Sequence, residues 1–139
     1  MTLGAEAGVR APKPDTPPSV QDSITLLPEP RSAGEARHFV AEHLRDVVSD
    51  DVTEIAVLLT SELVTNVIVH ARTPLRLDLE ADHGAVRVAI ADDLARPPVP
   101  RILGDGRLTG RGIHLVQALA REWGVEPTER GKRVWFELP

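Results

Sequence analysis

The chain has 139 residues and a hydrophobic fraction of 42%, which is enough for one domain with a core of its own. Its net charge of −5 and aromatic content of 3% disfavour nucleic-acid binding, which needs basic side chains for phosphates and aromatic ones for stacking. The absence of cysteine excludes disulfides and thiolate metal sites. No apolar run approaches the roughly 18 residues of a membrane span, and no signal peptide is visible. We therefore expect a cytoplasmic protein that does not bind a membrane.

Residues 1–22 are predicted to form a disordered tail, because they hold four prolines and few apolar side chains. The folded domain is then expected to span residues 23–139. It should begin with a short strand at 23–27, which Pro28 and Pro30 close.

Two helices should follow this strand. Ser32 and Glu35 have the spacing of a capping box at the start of the first helix. Asp51 and Glu54 repeat that spacing before the second helix, which is expected to run to about Ala71.

The second half of the chain predicts two hairpins around a third helix. Strands at 75–81 and 85–91 flank a short turn, and a long loop at 92–109 follows them. The third helix is expected to start near Gly110 and to end at Gly124, a residue type that favours helix C-termini. The chain finishes with a turn and a strand at 133–139. Because hairpins make the sheet mainly antiparallel, helices should cover one face of it in a two-layer α/β sandwich.

The second helix carries three polar residues at an even spacing of four: Glu62, Asn66 and His70. On a helical wheel they lie within about 80° of one another, among large apolar side chains and away from the most polar sector. A buried carboxylate needs a cation, strong donors or a wet pocket. Glu62 and Asn66 offer oxygen ligands one turn apart, which suits Mg²⁺ carried in on a phosphate. The alternative is a loosely packed helix with Glu62 at its rim and His70 as an ordinary core histidine.

Two further features lie beyond the second strand of the first hairpin. Asp92 ends that strand, where its carboxylate is well placed to accept a hydrogen bond from an exocyclic amine. Gly110, Arg111 and Gly112 come at the expected start of the third helix, where glycines let the backbone approach a phosphate. Flexible turns produce the same glycine pattern, and solvated arginines are common in loops.

Four sequence features together resemble the GHKL ATP-binding domains, in the branch of the anti-sigma-factor serine kinases and their small single-domain relatives. They are ELVTNVIVHA in the second helix, the strand-end Asp92, GRGIHLV at the third helix and GKRVWFEL at the end. The resemblance extends from about Ile24 to Pro139. It implies the GHKL (Bergerat) sandwich fold, with the nucleotide between the helices under a mobile lid at 93–109.

The resemblance also implies roles for single residues. Asn66 would coordinate Mg²⁺ on the phosphates of ATP, and Glu62 would be the general base. Asp92 would accept the amino group of adenine, while Gly110, Arg111 and Gly112 would form the phosphate-binding turn. His70 matches a position of the motif with a less defined role in nucleotide binding.

Two hypotheses about function follow from the resemblance. The first is a Mg-ATP-dependent serine/threonine kinase that binds a sigma factor and phosphorylates its anti-anti-sigma antagonist. The second is a non-catalytic switch, in which ATP orders a protein-binding surface. Leu94, where relatives commonly have a smaller residue, and the lack of a Thr beside Lys132 favour the second. Homodimerisation through the first sheet edge is compatible with the sequence, but no residue pattern identifies such a surface.

Overall fold

A computed structural model describes residues 19–82, 84–94 and 108–139, and for residues 108–111 it describes the backbone alone. The elements in chain order are β1 (Val20–Leu26), α1 (Arg31–Leu44), α2 (Asp50–Asn66), a π-helical turn (Val67–Ala71), β2 (Leu75–Asp82), β3 (Ala85–Asp92), α3 (Leu108–Leu119), β4 (Glu122–Pro127) and β5 (Lys132–Leu138). This is the predicted order of strands and helices. The first strand begins at Val20, three residues earlier than expected, and the predicted tail otherwise lies outside the described residues.

The described strands form one antiparallel sheet in the order β1-β2-β3-β5-β4. Strands β2, β3 and β5 alternate between buried and more accessible residues, as expected when one sheet face is packed and the other is not. Helix α1 packs on β1 and β2, helix α2 on β3 and β5, and α3 on β4. The predicted two-layer α/β sandwich with an antiparallel sheet is confirmed.

Helix α2 lies at the centre of the core. One side of it buries Ala56, Leu59, Leu63 and Val64, which pack with sheet residues such as Phe136 in a single apolar cluster. Together with the π-helical turn, Asp50–Ala71 is long and apolar enough to cross a membrane by length and composition, which the sequence analysis did not identify. A helix surrounded by a folded core has the same composition, and here its apolar side packs on the sheet.

Two predicted helix caps differ from the observed ones. Ser32 does not cap α1; its hydroxyl donates to the Leu27 carbonyl at 2.6 Å and ties the helix start to the end of β1. Helix α2 begins two residues earlier than the pattern suggests, because the N-cap is Ser49, whose hydroxyl accepts from the Val52 amide at 3.2 Å. Both helices therefore occur where the sequence predicts them, with other residues at their ends.

Gly124 is the largest correction to the sequence-based assignment. It was expected to end α3, but the helix ends at Leu119 and Gly124 lies inside β4, opposite Trp135 of β5. A Cβ at Gly124 would come within 2.8 Å of the Trp135 indole nitrogen. The guanidinium of Arg87 stacks on the same ring, 4.1 Å from its centroid. The glycine thus makes room for the indole and does not terminate a helix.

The outer face of the sheet is polar. Asp78 accepts hydrogen bonds from the Ser23 hydroxyl and from Arg76 at 2.8 Å. Burial raises the pKa of Asp78, but these hydrogen bonds and the nearby guanidinium charges outweigh it and hold the pKa below its usual value. The groups line a cavity of about 290 Å³ on the face that the helices leave uncovered.

Alanine at Gly124 should destabilise the protein by about 1–3 kcal/mol, because its Cβ must displace a stiff, stacked ring. Gly34 is a matched control inside α1, where a new Cβ meets only the flexible end of Arg37 at 3.4 Å. Gly34→Ala should stabilise by about 0.5–1 kcal/mol through helix propensity. Urea unfolding followed by circular dichroism measures both changes. Shifts of the same sign in the two variants would contradict the assigned role of Gly124.

Candidate functional site

Glu62 and Asn66 lie one turn apart on a half-open face of α2. Both side chains are half-buried. Leu58, one turn before Glu62 on that face, is 40% exposed. The wheel prediction is therefore correct in separating Glu62 and Asn66 from the fully solvated side of the helix. Of the large apolar residues that share this sector of the wheel, Leu59 is buried in the core, whereas Leu58 and Val69 are 40% and 39% exposed.

His70 lies outside the regular part of α2. The helix changes to a π-helical turn at Val67, and His70 and Val69 are both exposed. Arg72 ends the turn in the left-handed region, with φ at 56°. His70 is therefore more exposed than the half-buried Glu62 and Asn66, and its role in nucleotide binding stays a prediction.

The start of α3 lies against Glu62 and Asn66. A Cβ at Gly112 would be 2.8 Å from the Asn66 side-chain nitrogen and 3.5 Å from the Glu62 Cβ. Gly112 is therefore the point at which the backbone of α3 approaches α2, and only a glycine allows this approach without displacing Asn66. The helix begins at Leu108, two residues before the expected start, so Gly110 is one of its first four residues. The amide of Gly110 is among those without an intrahelical acceptor, whereas that of Gly112 is not.

Two predictions about this region lie outside the described residues. Nothing is described of the Arg111 side chain, and residues 95–107, most of the expected lid, are also outside the description. The phosphate-binding role of Gly110, Arg111 and Gly112 stays a prediction.

Asp92 lies at the end of β3 in a buried ion pair that the sequence analysis did not anticipate. Lys132, the first residue of β5, is its cross-strand partner. The Lys132 ammonium donates to both carboxylate oxygens of Asp92 at 2.9 Å and to the Leu94 carbonyl at 3.3 Å. The amide of Leu94 donates to Asp92 Oδ1 at 2.8 Å. The Asp92 and Lys132 side chains are only 2% and 9% exposed, so the carboxylate is already neutralised from within the protein.

The turn between β4 and β5 is fitted closely to the end of β3. Gly131 lies against the backbone of Asp92 and Asp93, and a Cβ there would be 2.7 Å from the Asp93 Cα. Asp93 also pairs with Arg130 at 3.2 Å, and its amide donates to the Thr73 hydroxyl at 3.0 Å. Gly131 thus allows the two chain segments to meet, which positions Lys132 beside Asp92.

The donor set at this site fits a magnesium ion only if a ligand supplies most of its oxygens. The described residues contain no group of three or more His, Cys, Asp or Glu side chains that could hold a metal. The Asn66 amide oxygen and the Glu62 carboxylate are hard ligands that suit Mg²⁺, an ion that keeps waters and phosphate oxygens around it. Binding of a cation together with phosphates at these two residues stays a prediction.

Lys132 and Gly131 are the residues of this region that the sequence analysis missed. A signal was present, because Lys132 is one of only two lysines in the chain and directly precedes the last apolar strand. Pairing β3 and β5 end to end places Lys132 beside Asp92.

Comparison with known proteins agrees with the fold. A family model described as a histidine kinase-like ATPase domain matches residues 26–138. The crystal structure of the RsbU and RsbW domains of Rv1364c from Mycobacterium tuberculosis matches with a TM-score of 0.66 and 19% sequence identity. The match covers 93% of this chain and 33% of that one, so the present chain spans about a third of the solved protein. No curated protein was found to match.

Removing one partner of the buried ion pair should be costly. Lys132→Met is expected to destabilise the protein by about 3–5 kcal/mol, because it leaves the Asp92 carboxylate buried without a cation. In the double variant Asp92→Leu/Lys132→Met the charge is gone, and most of that loss should be recovered. Denaturant unfolding of the wild type, both single variants and the double variant measures the coupling. Additive effects of the two substitutions would show that the pair is not energetically coupled.

Proposed function

The chain belongs to the histidine kinase-like ATPase domain family, and on this premise we propose that it is a Mg-ATP-dependent serine/threonine protein kinase of the anti-sigma-factor type. In this proposal it binds a sigma factor and phosphorylates the antagonist of that sigma factor. The phosphorylated residue would be a Ser or Thr on a small anti-anti-sigma protein. The family membership supports nucleotide binding, and the site residues support phosphoryl transfer.

One observation carries the proposal: α3 begins against the α2 residues that the chemistry needs. The Gly112 backbone is so close to Asn66 that a methyl group would not fit between them, and Glu62 is the next side chain along the same face. A carboxylate, an amide oxygen and the second turn of α3 therefore meet at one place, one turn away from the first amides of that helix. Helix N-termini favour anions through their free amides and dipole, so phosphates would be drawn to the side of the cation ligand.

Glu62 is the candidate general base. Its half-buried position lets the carboxylate face a bound substrate while the α2 backbone holds it rigidly. It would accept the proton of the Ser or Thr hydroxyl as that oxygen attacks the γ-phosphorus. Asn66 would bind Mg²⁺ through its amide oxygen. The bound Mg²⁺ would supply charge neutralisation on the phosphates during transfer.

A second function is a non-catalytic switch in which ATP binding orders a surface for a partner protein. The Asp92–Lys132 ion pair favours it, because a base-binding carboxylate that is already neutralised suits weak, reversible nucleotide binding. The two functions share the nucleotide site and differ in whether Glu62 transfers a proton. A transfer assay therefore separates them.

The kinase proposal predicts transfer of label from Mg-[γ-³²P]ATP to an antagonist protein encoded in the same genome. Glu62→Gln keeps the size of the side chain and should lower the transfer rate by about 10²–10⁴-fold, because it removes the base. Glu54→Gln, an exposed position on the same helix, should leave the rate unchanged. Equal rates in wild type and Glu62→Gln would exclude Glu62 as the base. Nucleotide binding without transfer to any antagonist would favour the switch.

The packing of Gly112 generates a separate prediction about binding. Gly112→Ala should weaken Mg-ATP binding by about tenfold or more, because the added methyl group displaces the cation ligand Asn66. Asn66→Ala should abolish the dependence of that binding on Mg²⁺, whereas Thr65→Ala, at the exposed neighbouring position, should not. Isothermal titration calorimetry with and without Mg²⁺ provides the measurement. Unchanged affinity in Gly112→Ala would place the phosphates elsewhere.

A further inference from the structure

We infer that Lys132 prevents Asp92 from recognising the exocyclic amino group of a bound base. Asp92 therefore does not select adenine at the nucleotide site. The inference rests on the proposed nucleotide binding and concerns the specificity of the same site. Lys132 is then a specificity-determining residue, because it binds the carboxylate that would otherwise accept a hydrogen bond from the base.

Most hydrogen-bonding positions of Asp92 and Lys132 are already used within the protein. A carboxylate has about four lone-pair positions. The Asp92 carboxylate already accepts from the Leu94 amide at 2.8 Å and from the Lys132 ammonium at both oxygens, at 2.9 Å each. Lys132 uses its third proton on the Leu94 carbonyl at 3.3 Å. The ammonium has no spare donor for a base, and the carboxylate has one acceptor position left at most.

The ion pair is also buried. The Asp92 side chain is 2% exposed, so little of its carboxylate surface is open to a ligand. Asp92 and Lys132 are directly paired residues of the two strands on which α2 packs. Their side chains therefore leave the sheet on the same face, and the register of the sheet brings the ammonium within reach of the carboxylate.

A base would have to compete with Lys132 as a donor to Asp92. The amino group of adenine is a neutral donor, whereas the Lys132 ammonium carries a full positive charge, so it adds ion-pair attraction to its hydrogen bonds with the Asp92 carboxylate. To bond to Asp92, the base would have to displace Lys132 and leave a buried ammonium without its counter-ion. A base that enters the site should therefore bind without this hydrogen bond. Affinity would then come from the phosphates and from apolar contacts with the base.

Lys132→Thr should restore recognition of the amino group. Threonine fits a strand position and has one short hydroxyl donor. It can donate to only one lone pair of Asp92, which opens the others to a ligand. The same substitution shortens the side chain and makes space beside the carboxylate.

The test compares ATP with purine riboside triphosphate, which is identical except that the exocyclic amino group is absent. Calorimetric titration of the wild-type full chain with Mg²⁺ should give dissociation constants within about threefold of each other, since the hydrogen bond is not made. In Lys132→Thr, ATP should bind about tenfold tighter than the analogue, the size of one hydrogen bond to a charged acceptor. Asp92→Asn should bind the two nucleotides equally, as the wild type does.

Each outcome has a distinct meaning. A tenfold preference of the wild type for ATP, lost in Asp92→Asn, would overturn the inference while leaving the proposed nucleotide binding intact. Failure of the wild type to bind either nucleotide would contradict the proposed function itself. Thermal melting checks that each variant is folded. If Lys132→Thr does not fold, the ratio of the two wild-type dissociation constants decides alone, because recognition of the amino group would make ATP bind more tightly than the analogue.

Discussion

A buried carboxylate must keep a positive partner, and the Asp92–Lys132 pair meets this requirement at the end of the two strands that support α2. The pair lies in the direct register of β3 and β5, so the hydrogen bonds of the sheet and the charges hold the same alignment. Slipping β5 by one residue would turn the Lys132 side chain to the other face of the sheet and separate its ammonium from Asp92. The ion pair thus contributes to register as well as to local stability.

The same pair determines the backbone around it. Gly131 has to be a glycine because the turn before Lys132 presses on the backbone of Asp92 and Asp93. Asp93 in turn is held by Arg130 and by the Thr73 hydroxyl. These contacts therefore connect the end of β3 to the turn between β4 and β5 and to the segment before β2.

The sequence predicts most of the fold because the periodic patterns are strong. Alternating apolar residues locate β2, β3 and β5, and the apolar side of α2 identifies the central helix. The failures have separate physical causes. The role of Gly124 is ambiguous in the sequence, because glycine is favoured both at helix ends and in strands crowded by a large side chain. Only the position of Trp135 shows that the second case applies. Ser32 fits a capping pattern, but its hydroxyl donates to the Leu27 carbonyl and does not accept from a helix amide, a contact that depends on tertiary structure.

The candidate site is only partly readable from the sequence, for reasons of geometry. Glu62 and Asn66 can be found because a regular helix keeps residues four apart on one face. His70 is exposed in the π-helical turn that begins at Val67, a change of helix type that no local sequence signal announces. Lys132 is distant from Asp92 in sequence, so its role emerges only when β3 and β5 are paired.

The two ends of the site rest on different structural constraints. Gly112 sets the distance between α2 and α3 at the end with Glu62 and Asn66. Strand register sets the other end, where Asp92 and Lys132 meet. A substitution in the strand pair therefore changes the environment of a base without moving the groups that would hold phosphates. A domain built in this way can lose selectivity for one base and still keep the arrangement required for phosphate binding and transfer.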